Sequence, residues 1–310
     1  MLETERDFDV IIIGAGAAGL SAAVFSAREK LKTLVIERAT FGGQIANADK
    51  VENYPGFPNG IRGIDLAVQM FNQAKQYGLQ TAFTEVEALG VETRPFVVST
   101  GLGTYTAKAL ILACGSALKR LGVPGELDFE GRGVSSCATC DGGMFHSQAV
   151  AVVGGGDAAM DEALYLTELV AQVTVIHRRG ELRAARILQE RASGHAKIAF
   201  RWHTVVEAIE GNGQVERLRL KHVQSGEISV LPVAGVFIYV GLEPNTAFLK
   251  GVVPLHGGGH VLVNHRLETE IPGLYAAGDL RQHSARQVAA AVGDGATAAF
   301  FAIQYLRSRR

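Results

Sequence analysis

One turn is written twice in this chain. Gly14-Ala15-Gly16-Ala17-Ala18-Gly19 follows the apolar run Phe8 to Ile13, and Gly154-Gly155-Gly156-Asp157-Ala158-Ala159 follows Ala149 to Val153. A near-continuous apolar run that stops at glycine reads as a strand buried on both faces of a parallel sheet. Leu20 to Lys30 and Met160 to Leu169 then read as helices, and Thr33 to Ile36 and Gln172 to Ile176 as second strands. The distance from the first glycine to the residue that closes the second strand is 23 positions in both copies, Gly14 to Glu37 and Gly154 to His177. Two β-turn-α-β units of one length predict an α/β chain of two doubly wound, Rossmann-like nucleotide-binding domains.

The glycines have distinct tasks. In the first turn Gly14 permits the tight bend, Gly16 lets a pyrophosphate approach the backbone, and Gly19 lets helix pack on strand. The helix start, with Ala17 and Ala18, offers open N–H groups to phosphate. Glu37 stands where an acid would hold ribose hydroxyls. The second turn, Gly154-x-Gly156-Asp157-x-Ala159, is the same device with alanine third. Its strand ends differently, in His177-Arg178-Arg179 with Arg183 one turn later. Cations without an acid suit a 2′-phosphate, so this site is expected to prefer NADPH over NADH.

The chain has 310 residues, and domains of roughly 100–200 residues make two the natural expectation. Ile64 to Tyr77 reads as a helix; Thr81 to Leu89, Phe96 to Thr100 and Tyr105 to Ala113 read as strands. After the second unit come strands at Lys197 to Ile209, Val215 to His222, Glu227 to Leu231, Val236 to Val240 and Gly273 to Ala277. Arg286 to Leu306 reads as a helix pair or one long helix weakened by Gly293 and Gly295. Linker signals at Leu121 to Gly125 and Gly241 to Pro244 bracket the second unit. The expected domains are therefore 1–120 with 245–310, and 121–244 inserted between them.

Cys137-Ala138-Thr139-Cys140 lies 17 positions before Gly154. Three readings are open. Half a zinc site needs two further ligands, and only His146 is near. A structural disulfide or an inert buried pair is the second. The third, and the favoured one, is a redox-active dithiol between two nucleotide sites. Asp141 follows directly, as a proton carrier for the thiols or as a turn residue. Cys114, alone at the end of an apolar strand, reads as a small core residue. Three cysteines fit a reducing cytoplasm better than a disulfide scaffold. A net charge of -1 without a basic stripe argues against nucleic acid. Met1 to Asp9 is charged and lacks a secretory pattern, and no run approaches the ~20 apolar residues of a membrane span. Arg307-Ser308-Arg309-Arg310 reads as a solvated helix end.

Taken in order along the chain, these motifs resemble the low-molecular-weight, bacterial-type thioredoxin reductases. The likeness is carried by Cys137-Ala-Thr-Cys140-Asp141, Gly42-Gly43-Gln44-Ile45, Val51-Glu52-Asn53-Tyr54-Pro55-Gly56-Phe57, Gly154-Gly155-Gly156-Asp157 and His177-Arg178-Arg179. Ala276-Ala277-Gly278-Asp279 and Arg286-Gln287 before Gly293-Asp294-Gly295 complete it. The resemblance implies FAD on the first unit, lined also by Gly42, Gly43, Gln44, Asn53, Val86, Gly278, Asp279, Arg286, Gln287 and Val288. It implies NADPH on the second unit. Electrons would pass from NADPH to FAD, to Cys137–Cys140, and to the disulfide of thioredoxin. Cys140 would face the flavin, Cys137 would attack the partner, and Asp141 would shuttle the proton. A homodimer is implied as well. The alternative within the family is another electron donor, ferredoxin, or a small dithiol/disulfide substrate. Gly143, Cys114 and Ala285 depart from the family's usual residues at their positions.

Overall fold

The computed structural model describes residues 6–309; Met1–Glu5 and Arg310 lie outside it, and with them the first residues of the charged opening and the last of the basic tail. The chain divides into two compact units, Met1–Ala117 with Glu243–Arg310, and Leu118–Leu242.

Unit 1 begins with β1 (Asp7–Ile13), α1 (Ala17–Arg28), β2 (Thr33–Glu37), α2 (Gly63–Lys75), β3 (Gln80–Phe83), β4 (Val86–Gly90), β5 (Phe96–Thr100), β6 (Gly103–Leu112) and the short β7 (Ser116–Leu118). Unit 2 holds β8 (Val134–Ser135), α3 (Ala138–Asp141), β9 (Ala149–Gly154), α4 (Asp157–Leu166), β10 (Gln172–Ile176), α5 (Arg186–Ser193) and β11 (Ile198–Arg201). It continues with β12 (Thr204–Gly211), β13 (Val215–His222), β14 (Ile228–Pro232) and β15 (Gly235–Tyr239). The chain then returns through β16 (Leu242–Pro244) and β17 (Leu274–Ala276) to α6 (Val288–Arg307). Strands β7 and β16, where the chain leaves unit 1 and comes back, pair with each other.

The sheet of unit 1 has the order β3-β2-β1-β6-β5-β4. Strands β3, β2, β1 and β6 run parallel, while β4 and β5 form an antiparallel meander on β6. β6 is long enough to take two partners on one edge, β5 along Gly103–Ala107 and β17 along Leu110–Leu112. The expected strand Thr81 to Leu89 is broken at Thr84 and Glu85. A flat sheet would hold β3 and β4 about 24 Å apart, yet Phe83 to Val86 spans at most about 11 Å. The sheet therefore curls, and the two-residue break is where it turns.

Side chains alternate across β1. Val10 and Ile12 join the cluster with α1, α2 and α6, and Ile11 and Ile13 join the one on the opposite face. α6 is one helix, not two. Gly295 survives in it because α1 presses against it: a Cβ there would lie 2.0 Å from the Ala18 carbonyl oxygen. The weakening expected of that glycine is the condition for the contact.

Unit 2 carries the all-parallel sheet β11-β10-β9-β15-β8 and the antiparallel sheet β12-β13-β14. One face of the parallel sheet packs on α3, α4 and α5 through Met160, Ala163, Leu166 and Leu188. The other packs on the antiparallel sheet through Val206, Ile209, Leu218 and Leu220. Among the described residues, no helix is long and apolar enough to cross a membrane.

Candidate redox and nucleotide sites

In unit 1 the first glycine turn is closed from several sides. Gly14 has φ +104°, and a Cβ there would meet the Ala113 carbonyl oxygen at 2.4 Å. A Cβ on Gly19 would lie 1.9 Å from the Gly14 carbonyl oxygen, so the helix start rests on the turn itself. α1 begins after Gly16 with no side chain capping it, which leaves its first N–H groups open to an anion. Glu37 already holds backbone: its Oε2 accepts Ala15 N at 2.8 Å and its Oε1 accepts Ala39 N at 2.9 Å. Gly42 N donates to the Ala15 carbonyl at 2.8 Å, which brings Gly42, Gly43 and Gln44 to the turn. Gln44 Nε2 donates to the Ser116 carbonyl at 3.2 Å. Asn53 Nδ2 donates to Gln287 Oε1 at 2.9 Å, beside Val288 at the start of α6. Burial pushes the Asp279 carboxyl up, against a hydrogen bond from Ser284 Oγ at 3.1 Å. Val86 is buried at the start of β4, and Arg286 is exposed with its Nη2 3.5 Å from His260 Nε2.

A half-buried ion pair that no motif marks lies in this unit. Arg281 Nε and Nη2 donate to the two carboxylate oxygens of Asp294 at 2.6 and 2.8 Å, and Gly278 N donates to Asp294 Oδ2 at 3.0 Å. The pair ties the Gly278-Asp279 turn to α6. Cys114 is half-buried with its thiol pushed up to about 12 by desolvation, so it stays protonated.

The second turn is built in the same way and finished differently. α4 starts after Gly156 without a side-chain cap, and a Cβ on Gly156 would meet nothing within 4 Å. That space suits a phosphate. The loop bearing Arg183 is laced to the turn: Arg183 N donates to the Gly155 carbonyl at 2.7 Å, and Ala185 N donates to Asp157 Oδ1 at 2.7 Å. Arg178, Arg179 and Arg183 are exposed at the strand end. His177 differs from the arginines beside it. It is buried, its ring lies where a Cβ on Gly155 would be (2.4 Å), and its Nε2 has no partner. Burial pulls its pKa below the ordinary value. It is a neutral wall of the turn, not the cation its place in the motif suggested.

Cys137 and Cys140 are joined as a disulfide, which sets aside the half-zinc reading. Cys137 is the N-cap just before α3, and its Sγ accepts Cys140 N at 3.2 Å. Asp141 Oδ2 accepts a 2.6 Å bond from Ser135 Oγ, and the same hydroxyl accepts Cys137 N at 3.1 Å. Ser135 thus braces both the disulfide and the acid; no spacing rule singles it out. The two residues are not equivalent: Cys137 is buried, with 9% of its surface exposed, whereas Cys140 is exposed.

Known proteins share this sequence and fold over nearly the whole chain. The sequence profile of the pyridine nucleotide-disulphide oxidoreductases matches residues 8–295. The chain belongs to that family, and within it to the thioredoxin reductases. It is 45% identical over 302 residues to the thioredoxin reductase of Treponema pallidum, covering 97% of this chain and 98% of that protein. It is 44% identical to that of Bacillus subtilis, covering 96% and 94%. The crystal structure of Lactococcus lactis thioredoxin reductase superposes with a TM-score of 0.95 at 39% identity, covering 97% and 99%.

Proposed function

We propose that this chain uses NADPH and FAD to reduce the disulfide of thioredoxin in the cytoplasm, with FAD on unit 1 and NADPH on unit 2. The observation that carries the reading is the Cys137–Cys140 disulfide with Cys140 exposed, in the unit whose glycine turn ends in exposed arginines. The residues present fit both groups. Open helix-start donors behind Gly16 and Gly156 suit two pyrophosphates. Arg178, Arg179 and Arg183 suit a 2′-phosphate, which supports a nicotinamide donor over ferredoxin. FAD, when bound, supplies a two-electron relay between NADPH and the disulfide.

The chain's own part is thiol–disulfide exchange. Two electrons and two protons open the Cys137–Cys140 bond. The Cys140 thiolate attacks one sulfur of the partner disulfide, and the other partner sulfur leaves as a thiolate. Cys137 then attacks the Cys140 sulfur of the mixed disulfide, re-forming the internal bond and releasing the second partner thiolate. Access gives Cys140 the outer role, because a protein disulfide reaches an exposed sulfur and not a buried one. Asp141, held by Ser135, takes and returns the proton.

The surface of unit 1 supports a homodimer. Phe25 and Phe300, 41% and 51% exposed, line a groove between α1 and α6 with Arg28, Glu29 and Arg307. Large apolar side chains rimmed by both charges make a self-complementary face, as a two-fold dimer requires. The test of the functional reading is reconstitution. The purified chain should hold one FAD, and NADPH should bleach its colour. NADPH oxidation should then depend on added oxidised thioredoxin. A folded chain that takes up no FAD, or that leaves thioredoxin oxidised, contradicts the reading.

A further inference from the structure

Cys137 occupies the place in a CxxC turn where a thiol is ordinarily made acidic. It is the N-cap of α3, its sulfur accepts Cys140 N, and Thr139 Oγ1 lies 3.3 Å away. Donors of this kind stabilise a thiolate, so the turn by itself favours its first cysteine as nucleophile. That preference conflicts with access, because Cys137 is buried and Cys140 is exposed. Charge on Cys137 would sit on the sulfur that a partner does not reach.

Glu162 lies at the point of conflict. It projects from α4, is half-buried, and its Oε2 accepts Ala138 N at 2.9 Å. Ala138 N is the N–H directly after Cys137 and the first donor of α3. Glu162 sets a carboxylate one residue from the sulfur. That charge opposes a second negative charge on Cys137. The other titratable groups packed around the turn are Asp141 on α3, Tyr165 on α4 and Tyr239 on β15. Asp141 is engaged by Ser135. Tyr239 is buried, and burial followed by the charge of Glu162 pushes its hydroxyl above the ordinary range, so it stays neutral. Glu162 is the carboxylate bonded to the Cys137 side of the turn.

We propose that Glu162 is a positioning residue that decides which sulfur is the nucleophile: it keeps Cys137 protonated in the reduced turn and leaves the thiolate to Cys140. The inference rests on the reading that this disulfide exchanges with a partner. It extends that reading by giving the helix that starts at the second glycine turn a grip on the redox turn.

The test isolates each thiol in the full-length, FAD-loaded protein. In a Cys140→Ser background, the rate of iodoacetamide alkylation of Cys137 is followed against pH, with and without Glu162→Gln. Cys114 stays silent because its thiol is pushed up to about 12. Glu162→Gln is expected to lower the Cys137 midpoint by about one pH unit and to speed alkylation at neutral pH roughly tenfold. In a Cys137→Ser background the same substitution should move the Cys140 midpoint far less. An unchanged Cys137 midpoint, or equal shifts for both thiols, overturns the proposal; a purely structural role would lower the melting temperature and leave the midpoint in place. If Glu162→Gln does not fold, Glu162→Asp draws the carboxylate back by one methylene and should lower the midpoint too; no shift would overturn the proposal. Thioredoxin turnover of the parent is measured alongside. Its absence would contradict the functional reading, and the alkylation profiles would still decide the role of Glu162.

Discussion

The two glycine turns share a fold and an uncapped helix start, and differ in the contacts around them. The first is closed by backbone and carboxylates: Glu37 holds Ala15 and Ala39, and Asp294 holds Gly278 and Arg281. The second is open at Gly156, walled by the neutral ring of His177 and edged with arginines. The third glycine position shows the same contrast. Gly19 has no room for a methyl group, while Ala159 carries one. A duplicated unit thus keeps its strand–helix geometry and changes its chemistry at the strand end.

The largest expected effect breaks that contrast at the third position. Gly19→Ala puts a Cβ 1.9 Å from a carbonyl oxygen and should cost about 3 kcal/mol or more, with loss of FAD. Ala159→Gly loosens a helix and removes one buried methyl group, and should cost about 1–2 kcal/mol, with FAD retained. Chemical denaturation with flavin fluorescence compares the two, and equal costs would show that the turns are not packed differently. Next come the strand ends. Arg178→Ala with Arg179→Ala should lower the preference for NADPH over NADH by roughly tenfold or more, since each charge-assisted bond is worth roughly 1.5–3 kcal/mol. FAD content should not change. An unaltered NADPH/NADH ratio would place the 2′-phosphate elsewhere.

The smallest effect concerns His177. Its folded pKa lies below the ordinary value because it is buried, whereas in the unfolded chain it titrates near about 6.5. Between those values the unfolded state binds more protons. The stability it contributes is full above about 6.5 and is lost as the pH falls through the lower folded pKa. His177→Phe keeps a ring against Gly155 and removes the titration. The parent's melting temperature should therefore fall more steeply than the variant's from pH 7.5 to 5.5. Parallel curves would mean that His177 titrates normally.

What could be read in advance follows the range of the interaction. The turns, the strands before them and the CxxC are local patterns, and a spacing of 23 residues or of three displays them directly. Ser135 beside Asp141, Glu162 on Ala138 and Arg281 with Asp294 join residues 6, 24 and 13 positions apart through the packing of separate elements. No periodicity marks such pairs. The burial of Cys137 and His177 is hidden for the same reason. Each sits in a motif whose chemistry suggests exposure, and only the packing of α3, α4 and β15, or of the Gly155 turn, removes it. The break at Thr84 is hidden because Thr81 to Leu89 carries no Gly or Pro to mark a turn, although its halves lie at opposite ends of the sheet order.

The relay itself is tested most directly with the two cysteine variants and oxidised thioredoxin. Both Cys137→Ser and Cys140→Ser should still be reduced by NADPH, because that step uses the other sites, and both should fail to turn over thioredoxin. Cys137→Ser should trap thioredoxin as a mixed disulfide through exposed Cys140; Cys140→Ser should trap little, with only the buried sulfur left. If Cys140→Ser reduces thioredoxin at a rate near the parent's, Cys137–Cys140 does not carry the electrons.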